Sequence, residues 1–405
     1  MSSSAQRSAT VVITASIVVL LIAMGVRATF GLLMQPMGLD KGFSRETFSL
    51  AFAIQNLVWG LGAPLFGALS DKYGSGRTIA LGALLYAIGL LSMGYSDSAA
   101  TLYLSAGVLV GLGQGGTTFG VILGVVARAV PPERRSLALG MASAGGSAGQ
   151  FLMVPFAQQL IAQFDWHTAL LLLSVAASFG MPLALLLQGR AAAGADQLHQ
   201  SLSAAFRQAL GHRSYHFLFW SFFVCGFHVS FITLHLPSFV VDGGLSAFDG
   251  ALAIGLIGLF NVVGSYGCGW LGGRYSKKNL LGSIYALRAV FIALLLLFPL
   301  TPLVLYVFAA GIGLLWLGTV PLTSGLIGQI YGLRYTATLY GLVFLGHQIG
   351  SFIGVWLGGW TFERFGSYDL VWWLGIALAL AAAALSWPID ERAMAARRAD
   401  DAVRA

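Results

Sequence analysis

The stretch "LIAMGVRATFGLLM", residues 21–34, places Arg27 inside a run otherwise fit only for hydrocarbon. On insertion scales an arginine at a helix centre costs about 2.5–3.5 kcal/mol, so such a residue usually faces a cavity or a partner. A second arginine, Arg288, lies well inside another apolar stretch. All 15 Asp and Glu fall in loops, tails or helix ends, so no intramembrane carboxylate is available to neutralise either cation. A buried cation without a partner is costly. A hydrating cavity and a bound anion both relieve that cost. Arg27 therefore reads as a carboxylate anchor, forked to hold both oxygens. The alternative is a structural strut on backbone carbonyls. Arg288 reads either as a structural or lipid-facing arginine or as a second anion contact.

Other polar groups share one depth. Gln114, Gln150, His228, Asn261, His347 and Gln348 fall near the midpoints of their apolar stretches, with Gln55 and Asn56 close to the same level. Single amides in membrane helices are often interhelical glue, but a common depth across half the helices favours a site. The candidate binding set is Arg27, Gln114, Gln150, Asn261, His347 and Arg288. His228 and His235 are seven apart, hence on one helix face. With His347 they are the proton-coupling candidates, since imidazole titrates near neutral pH; each alone also reads as a hydrogen-bonded packing residue. One firm cation suits a monocarboxylate better than a dicarboxylate, and Trp59, Phe30, Phe119, Phe231, Phe260, Trp316 and Phe344 are available to line an apolar pocket for its remainder.

The elements that must position these residues are membrane helices. Of 405 residues, 57% are hydrophobic and 9% charged, against about 25% charged in a soluble domain. Twelve apolar stretches are each long enough to cross ~30 Å of hydrocarbon: 10–37, 46–70, 77–96, 100–128, 137–162, 166–188, 214–241, 249–273, 278–298, 301–329, 336–360 and 367–388, here spans 1 to 12. The first is too long for the apolar core of a cleavable signal peptide. The expected organisation is a six-helix bundle over 1–188, a connector over 189–213, a second bundle over 214–388 and a tail over 389–405. Seventeen of the 22 Lys and Arg fall on the face that holds both termini and the connector, and three on the other. By the positive-inside rule that basic face is cytoplasmic. Topology thus accounts for the formal charge of +7, and no nucleic-acid partner is inferred from it. Cys225 and Cys268 lie in apolar runs and read as small core residues, not as a disulfide or metal site. No metal cluster, nucleotide loop or nucleophile arrangement is found, so neither an enzyme nor a cofactor is expected. The glycines of "GLGQGG" lie inside span 4, where a phosphate loop is untenable.

The two halves repeat. "GALSDKYGSGR" at 67–77 and "GWLGGRYSKKN" at 269–279 share Gly67, Leu69 and Tyr73 with Gly269, Leu271 and Tyr275, an offset of 202. "LALGMASAGGSAGQF" at 137–151 and "TLYGLVFLGHQIGSF" at 338–352 match Gly140, Gly145, Gly149 and Phe151 to Gly341, Gly346, Gly350 and Phe352, an offset of 201. Two pseudo-symmetric six-helix halves predict a transporter with its site between them near the midplane.

"GALSDKYGSGR" resembles the loop 2–3 signature of the major facilitator superfamily, with Gly67, Leu69, Asp71, Lys72, Gly74 and Arg77 in place and Gly76 replacing one base. "RRSLALGMASAGGSAG" at 134–149 resembles the helix 5 signature of the monocarboxylate porter family, filled by Arg135, Leu137, Ala138, Gly140, Ala142, Ala144, Gly145 and Gly149. "GVRATFGLLMQPM" and "GFSRETFSLAFA" resemble the oxalate:formate antiporter branch. The resemblance implies an all-α fold of twelve helices in two bundles, a basic residue at the Arg27 position, and gating by Asp71, Arg77 and Arg135. The chain also departs from these patterns. The acidic helix 1 signature of the monocarboxylate porters is absent, and their helix 8 Asp and Arg align with Asn261 and Ser265. Drug:proton antiporters carry an Arg in helix 4 where Gly111 stands. The resulting expectation is a carrier of a small organic carboxylate in the bacterial inner membrane, both termini cytoplasmic, monomeric, with proton-coupled uptake. Anion exchange, drug export and anion sensing without transport are the alternatives.

Overall fold

The computed structural model describes residues 9–188, 202–331 and 336–393, without the side chains of Asp71, Ala127, 132–137, 202–205, 336 and 337. Among these residues every regular element is helical. Eleven segments are long and apolar enough to cross a membrane. Pro132–Gln163, the longest single helix at 32 residues, completes a set of twelve. Its glycines, serines and amides lower its hydropathy, and small residues of this kind suit the close packing it makes against span 1.

Several spans are broken where the sequence supplies a reason. Span 1 is Ala9–Ala28 followed by Phe30–Lys41. At the break the Thr29 hydroxyl donates to the Val26 carbonyl at 2.8 Å, a side-chain bond that competes with the helix ladder and bends it. Arg27 stands in the last turn before that bend. Span 4 stops at Thr117 and restarts at Phe119. Span 10 is Pro302–Leu314 and then Thr319–Tyr331.

The internal repeat reappears as contact. Span 5 rides on span 1 where a Cβ on Gly145 would stand 2.8 Å from the Ile17 carbonyl oxygen and one on Gly149 would strike Leu21. Span 11 rides on span 7 in the same way, with Gly346 against the Phe219 ring at 2.8 Å and Gly350 against Phe223. Each of these four pairs lies 201 or 202 residues from its counterpart. The repeated glycines are thus the points where paired backbones approach too closely for any side chain.

Between the halves, span 2 (Arg45–Tyr73) packs on span 11 (Thr336–Phe365), and span 5 packs on span 8 (Ala247–Gly272). These seams are closed at mid-depth. A Cβ on Gly60 would lie 2.8 Å from Gln348, and one on Gly258 would lie 2.9 Å from the Ser147 carbonyl oxygen. One to three turns toward the basic face, on the same helix stripes, no described residue comes within 4 Å of where a Cβ on Gly67, Gly140, Gly269 or Gly341 would stand. Among the described residues the two halves are therefore parted toward the basic face, as a funnel, and in contact at mid-depth.

At the far end Arg45 locks the halves together. Its guanidinium forks onto Asp242 of span 7 (Arg213–Asp242), Nη2 to Oδ1 at 2.8 Å, and donates to the Tyr368 hydroxyl at 2.8 Å. The Arg45 backbone N–H donates to Glu363 at 2.8 Å, and Gln35 adds a bond to Asp242 at 3.0 Å. Breaking this lock with Arg45→Gln or Asp242→Asn removes about 1–2 kcal/mol, after allowing for the partial exposure of both partners. We expect roughly tenfold more of the state open at the far end. Maleimide labelling of Thr233→Cys from that side reads the shift, and exchanging the two charges reverses it.

Candidate functional site

The site begins with Arg27, which the bend at Thr29 directs toward span 2. Its Nη2 donates to Asn56 Oδ1 at 2.9 Å and to Ser230 Oγ, on the other half, at 3.4 Å. Nε is buried without a partner, and among the described residues no carboxylate reaches the guanidinium. Asn56 is held in turn by its own helix, Nδ2 donating to the Phe52 carbonyl at 2.8 Å.

Beyond Arg27, toward the closed end, Phe30, Gly31, Phe52, Thr233, Leu234 and Val355 wall a cleft with room for about one water molecule. Span 1 reaches span 7 there because Gly31 lets the Leu234 carbonyl oxygen come within 2.6 Å of where a Cβ would stand. Arg27, Asn56 and Ser230 line the same cleft, so the guanidinium borders it directly. An aromatic wall adjoins it. Trp59 lies under the cation at 5.2 Å and is fixed by its indole N–H donating to Thr118 at 2.9 Å. Phe344 of the other half meets Trp59 edge-on at 5.7 Å and stacks on His347 at 5.6 Å, and Tyr340 stacks behind it at 6.4 Å. A cation, two hydrogen-bonding side chains and a flat apolar wall thus converge where the two halves meet. Such a site has the chemistry to hold a small anion with an apolar body.

The predicted set is only partly gathered here. Gln114 is fully buried with no hydrogen bond to its amide, and Tyr86 lies beside both it and Arg27. His347 belongs to the aromatic wall and bonds Gln348 at 3.0 Å. Gln150 and Asn261 are spent on the seam between spans 5 and 8. Gln150 donates to the Ile254 carbonyl at 2.8 Å, and Asn261 donates to Ser147 at 2.9 Å while accepting from the Leu317 N–H and from Ser265. Asn261 and Ser265 thus form a neutral hydrogen-bonded pair, Ser265 donating to Asn261 Oδ1 at 2.9 Å.

Arg288 does not reach the Arg27 cluster. It is 1% exposed, and its guanidinium donates to the carbonyls of Leu315, at 2.7 Å from Nη2, and of Trp316. These oxygens are left over where span 10 breaks, and a cation at a helix C-terminus also meets the negative end of the macrodipole. The repeat explains the placement. Tyr86, 202 residues earlier, donates to the Ala23 carbonyl at 3.0 Å; Arg288 reaches Cys225, 202 residues after Ala23, at 3.6 Å. Both tie a peripheral helix to an inner one. His228 donates to the Gly375 carbonyl at 2.8 Å and His235 to Val355 at 2.9 Å, away from the Arg27 cluster. Phe231 is packed beside His235 and Trp372, and Trp316 and Phe260 also lie away from Arg27. Of the gating candidates, Arg77 is exposed and lines a recess at the basic face with Tyr73 and Gln188; the side chains of Asp71 and Arg135 lie outside the described residues. Sequence reasoning left Ser230 and Thr233 out of the site, since a hydroxyl in an apolar helix gives no signal of its own.

Comparison with known proteins agrees with this architecture. Residues 15–355 match the family model of the Major Facilitator Superfamily. The chain belongs to that family. A bacterial homologue of the human lysosomal transporter Spinster, solved in an inward-facing, unoccupied conformation, superposes with a TM-score of 0.70 at 15% identity over 95% of both chains, which shows the shared fold. The MFS-type transporter YcxA of Bacillus subtilis, itself uncharacterized, is 25% identical over 85% of this chain and 86% of its own length. Monocarboxylate transporter 13 of Bos taurus is 28% identical over 79% of this chain and 74% of its own, and monocarboxylate transporter 12 of Mus musculus is 26% identical over 76% and 70%. This major facilitator protein thus has a monocarboxylate-transporter-like sequence.

Proposed function

We propose that this transporter carries a small monocarboxylate by alternating access, with proton-coupled uptake across a bacterial inner membrane whose cytoplasmic side is the basic face. The observation that carries the reading is Arg27: a partly buried arginine where the two halves meet, with Nε unspent and no carboxylate of the described residues in reach. A substrate carboxylate completes that set, and Trp59 and Phe344 take its apolar remainder. The monocarboxylate transporters among the relatives support this class of substrate. Binding draws the two halves together around Arg27, Asn56 and Ser230. The funnel then closes at the basic face while the Arg45–Asp242 lock opens. We place the chain as a monomer with both termini on the cytoplasmic side, and Arg77 with Asp71 and Arg135 at the cytoplasmic gate.

The test is uptake of radiolabelled lactate, pyruvate and benzoate into vesicles, with and without an imposed pH gradient. For one proton per anion, each pH unit adds about 1.4 kcal/mol, roughly tenfold in accumulation. Uptake indifferent to the gradient but accelerated by internal substrate favours exchange over symport. Transport of organic cations in preference to all three acids defeats the reading itself.

A further inference from the structure

A chain of hydrogen bonds, passing through the Asn56 backbone carbonyl, links Arg27 to a buried cluster in the other half. Arg27 donates to the Asn56 side chain, and the Asn56 backbone carbonyl accepts from Gln348 Nε2 at 3.1 Å across the seam between spans 2 and 11. That bond turns Gln348 Oε1 toward His347 Nδ1, 3.0 Å away. Because a carbonyl oxygen only accepts, His347 carries its proton on Nδ1 and keeps Nε2 as its basic nitrogen. Spans 7 and 11 cross so closely at Gly226 that its missing side chain is occupied by the His347 backbone. The His347 side chain therefore faces the Cys225 thiol one position earlier. Cys225 in turn touches Thr319 Oγ1 at 3.2 Å and the Arg288 guanidinium at 3.6 Å.

Span 9 adds Tyr285 and Arg288 to the surroundings of this pair and span 11 adds Tyr340; no described acid joins them. Thiol and imidazole are the members of this cluster whose chemistry lets each take up and give back a proton, whereas the Arg288 guanidinium stays charged. His228 and His235, by contrast, donate to carbonyls with no bonded path to Arg27.

We infer that Cys225 and His347 together hold the transported proton, an inference that rests on the proton-coupled reading above. The loaded pair holds one proton more than the empty pair. That proton comes from water at one face and returns to water at the other, and no bond other than S–H or N–H forms or breaks. Loading adds a positive charge near the place where the substrate adds a negative one, so each ligand favours the other by reciprocal coupling. The Gln348–Asn56 bridge gives the coupling a second route, since the guanidinium bonds the Asn56 side chain while the imidazole bonds Gln348, which holds the Asn56 backbone carbonyl.

Two experiments test the pair. In liposomes, wild-type protein should accumulate lactate about tenfold more per unit of inward pH gradient, while Cys225→Ser should lose that accumulation and keep lactate counterflow within about twofold. A variant that still follows the gradient as wild type does overturns the inference and leaves the symport reading standing. A wild type that ignores the gradient defeats symport itself. Infrared spectra of Cys268→Ser protein, whose single thiol is Cys225, supply a measurement that does not depend on the Cys225 variant folding. The S–H stretching band should change in intensity as the pH of the sample is varied, with a different midpoint in His347→Gln. A band that stays constant as the pH is varied, or a midpoint that His347→Gln leaves in place, overturns the inference.

Discussion

Arg27→Gln should abolish carboxylate transport, by at least about a hundredfold at subsaturating substrate, while the protein expresses and purifies as wild type does. Two charge-assisted bonds to a carboxylate contribute about 1.5–3 kcal/mol each, and glutamine supplies neither the fork nor the charge. The same substitution should leave the empty protein equally stable or more so. Arg27 spends one terminal nitrogen on neutral partners and leaves Nε buried and unpaired, an arrangement that costs free energy until an anion arrives. Arg27→Lys keeps the charge but loses the second contact, and should fall between the two. Thermal melts beside uptake assays separate the account from a structural role. A strut on this helix would lose stability and transport together.

Gly341→Trp should stop transport as completely, for a different reason. Gly341 and its repeat partner Gly140 stand on the stripes that meet across the seams, and no described residue comes within 4 Å of a Cβ on either. If the funnel closes by bringing these stripes together, as the closed seams at Gly60 and Gly258 already are, an indole at 341 holds it open. The variant should bind carboxylate from the basic face with an affinity within about threefold of wild type and show less than about 1% of its flux, since one state is removed and not its ligand contacts. A cysteine at 233 should become unreactive from the far side. Near-normal flux would mean that the basic end does not close along these seams.

Much of this arrangement was legible in the sequence, and the remainder failed for identifiable reasons. Hydropathy located all twelve spans, because backbone satisfaction in hydrocarbon leaves little choice but long helices. The glycine repeats marked real contacts, since only a missing side chain permits backbones so close. Arg27 stood out because charge in hydrocarbon is rare. Depth, however, is one coordinate of a helical residue and rotation is another. Gln150 and Asn261 have the depth of the site but turn into the seam between spans 5 and 8, and Arg288 turns into its own half to cap a broken helix. The break at 315–318 is marked in the sequence by Gly318 and by Pro321, which cannot donate to the Leu317 carbonyl, but nothing there shows that an arginine of span 9 caps it. The lock between Arg45 and Asp242 joins residues 197 apart, a pairing that composition cannot show. Cys225 read as filler because its neighbours come from spans 9, 10 and 11.

A thermal-shift comparison of small carboxylates with their amides, on wild type and on Arg27→Gln, tests the central claim most directly. Each pair matches in shape and differs in charge, so the assay isolates what the guanidinium contributes. At least one acid should stabilise wild type while its amide does not, and Arg27→Gln should respond to neither. Equal stabilisation by an acid and its amide, or an acid response that survives in Arg27→Gln, would contradict an anion held at this arginine.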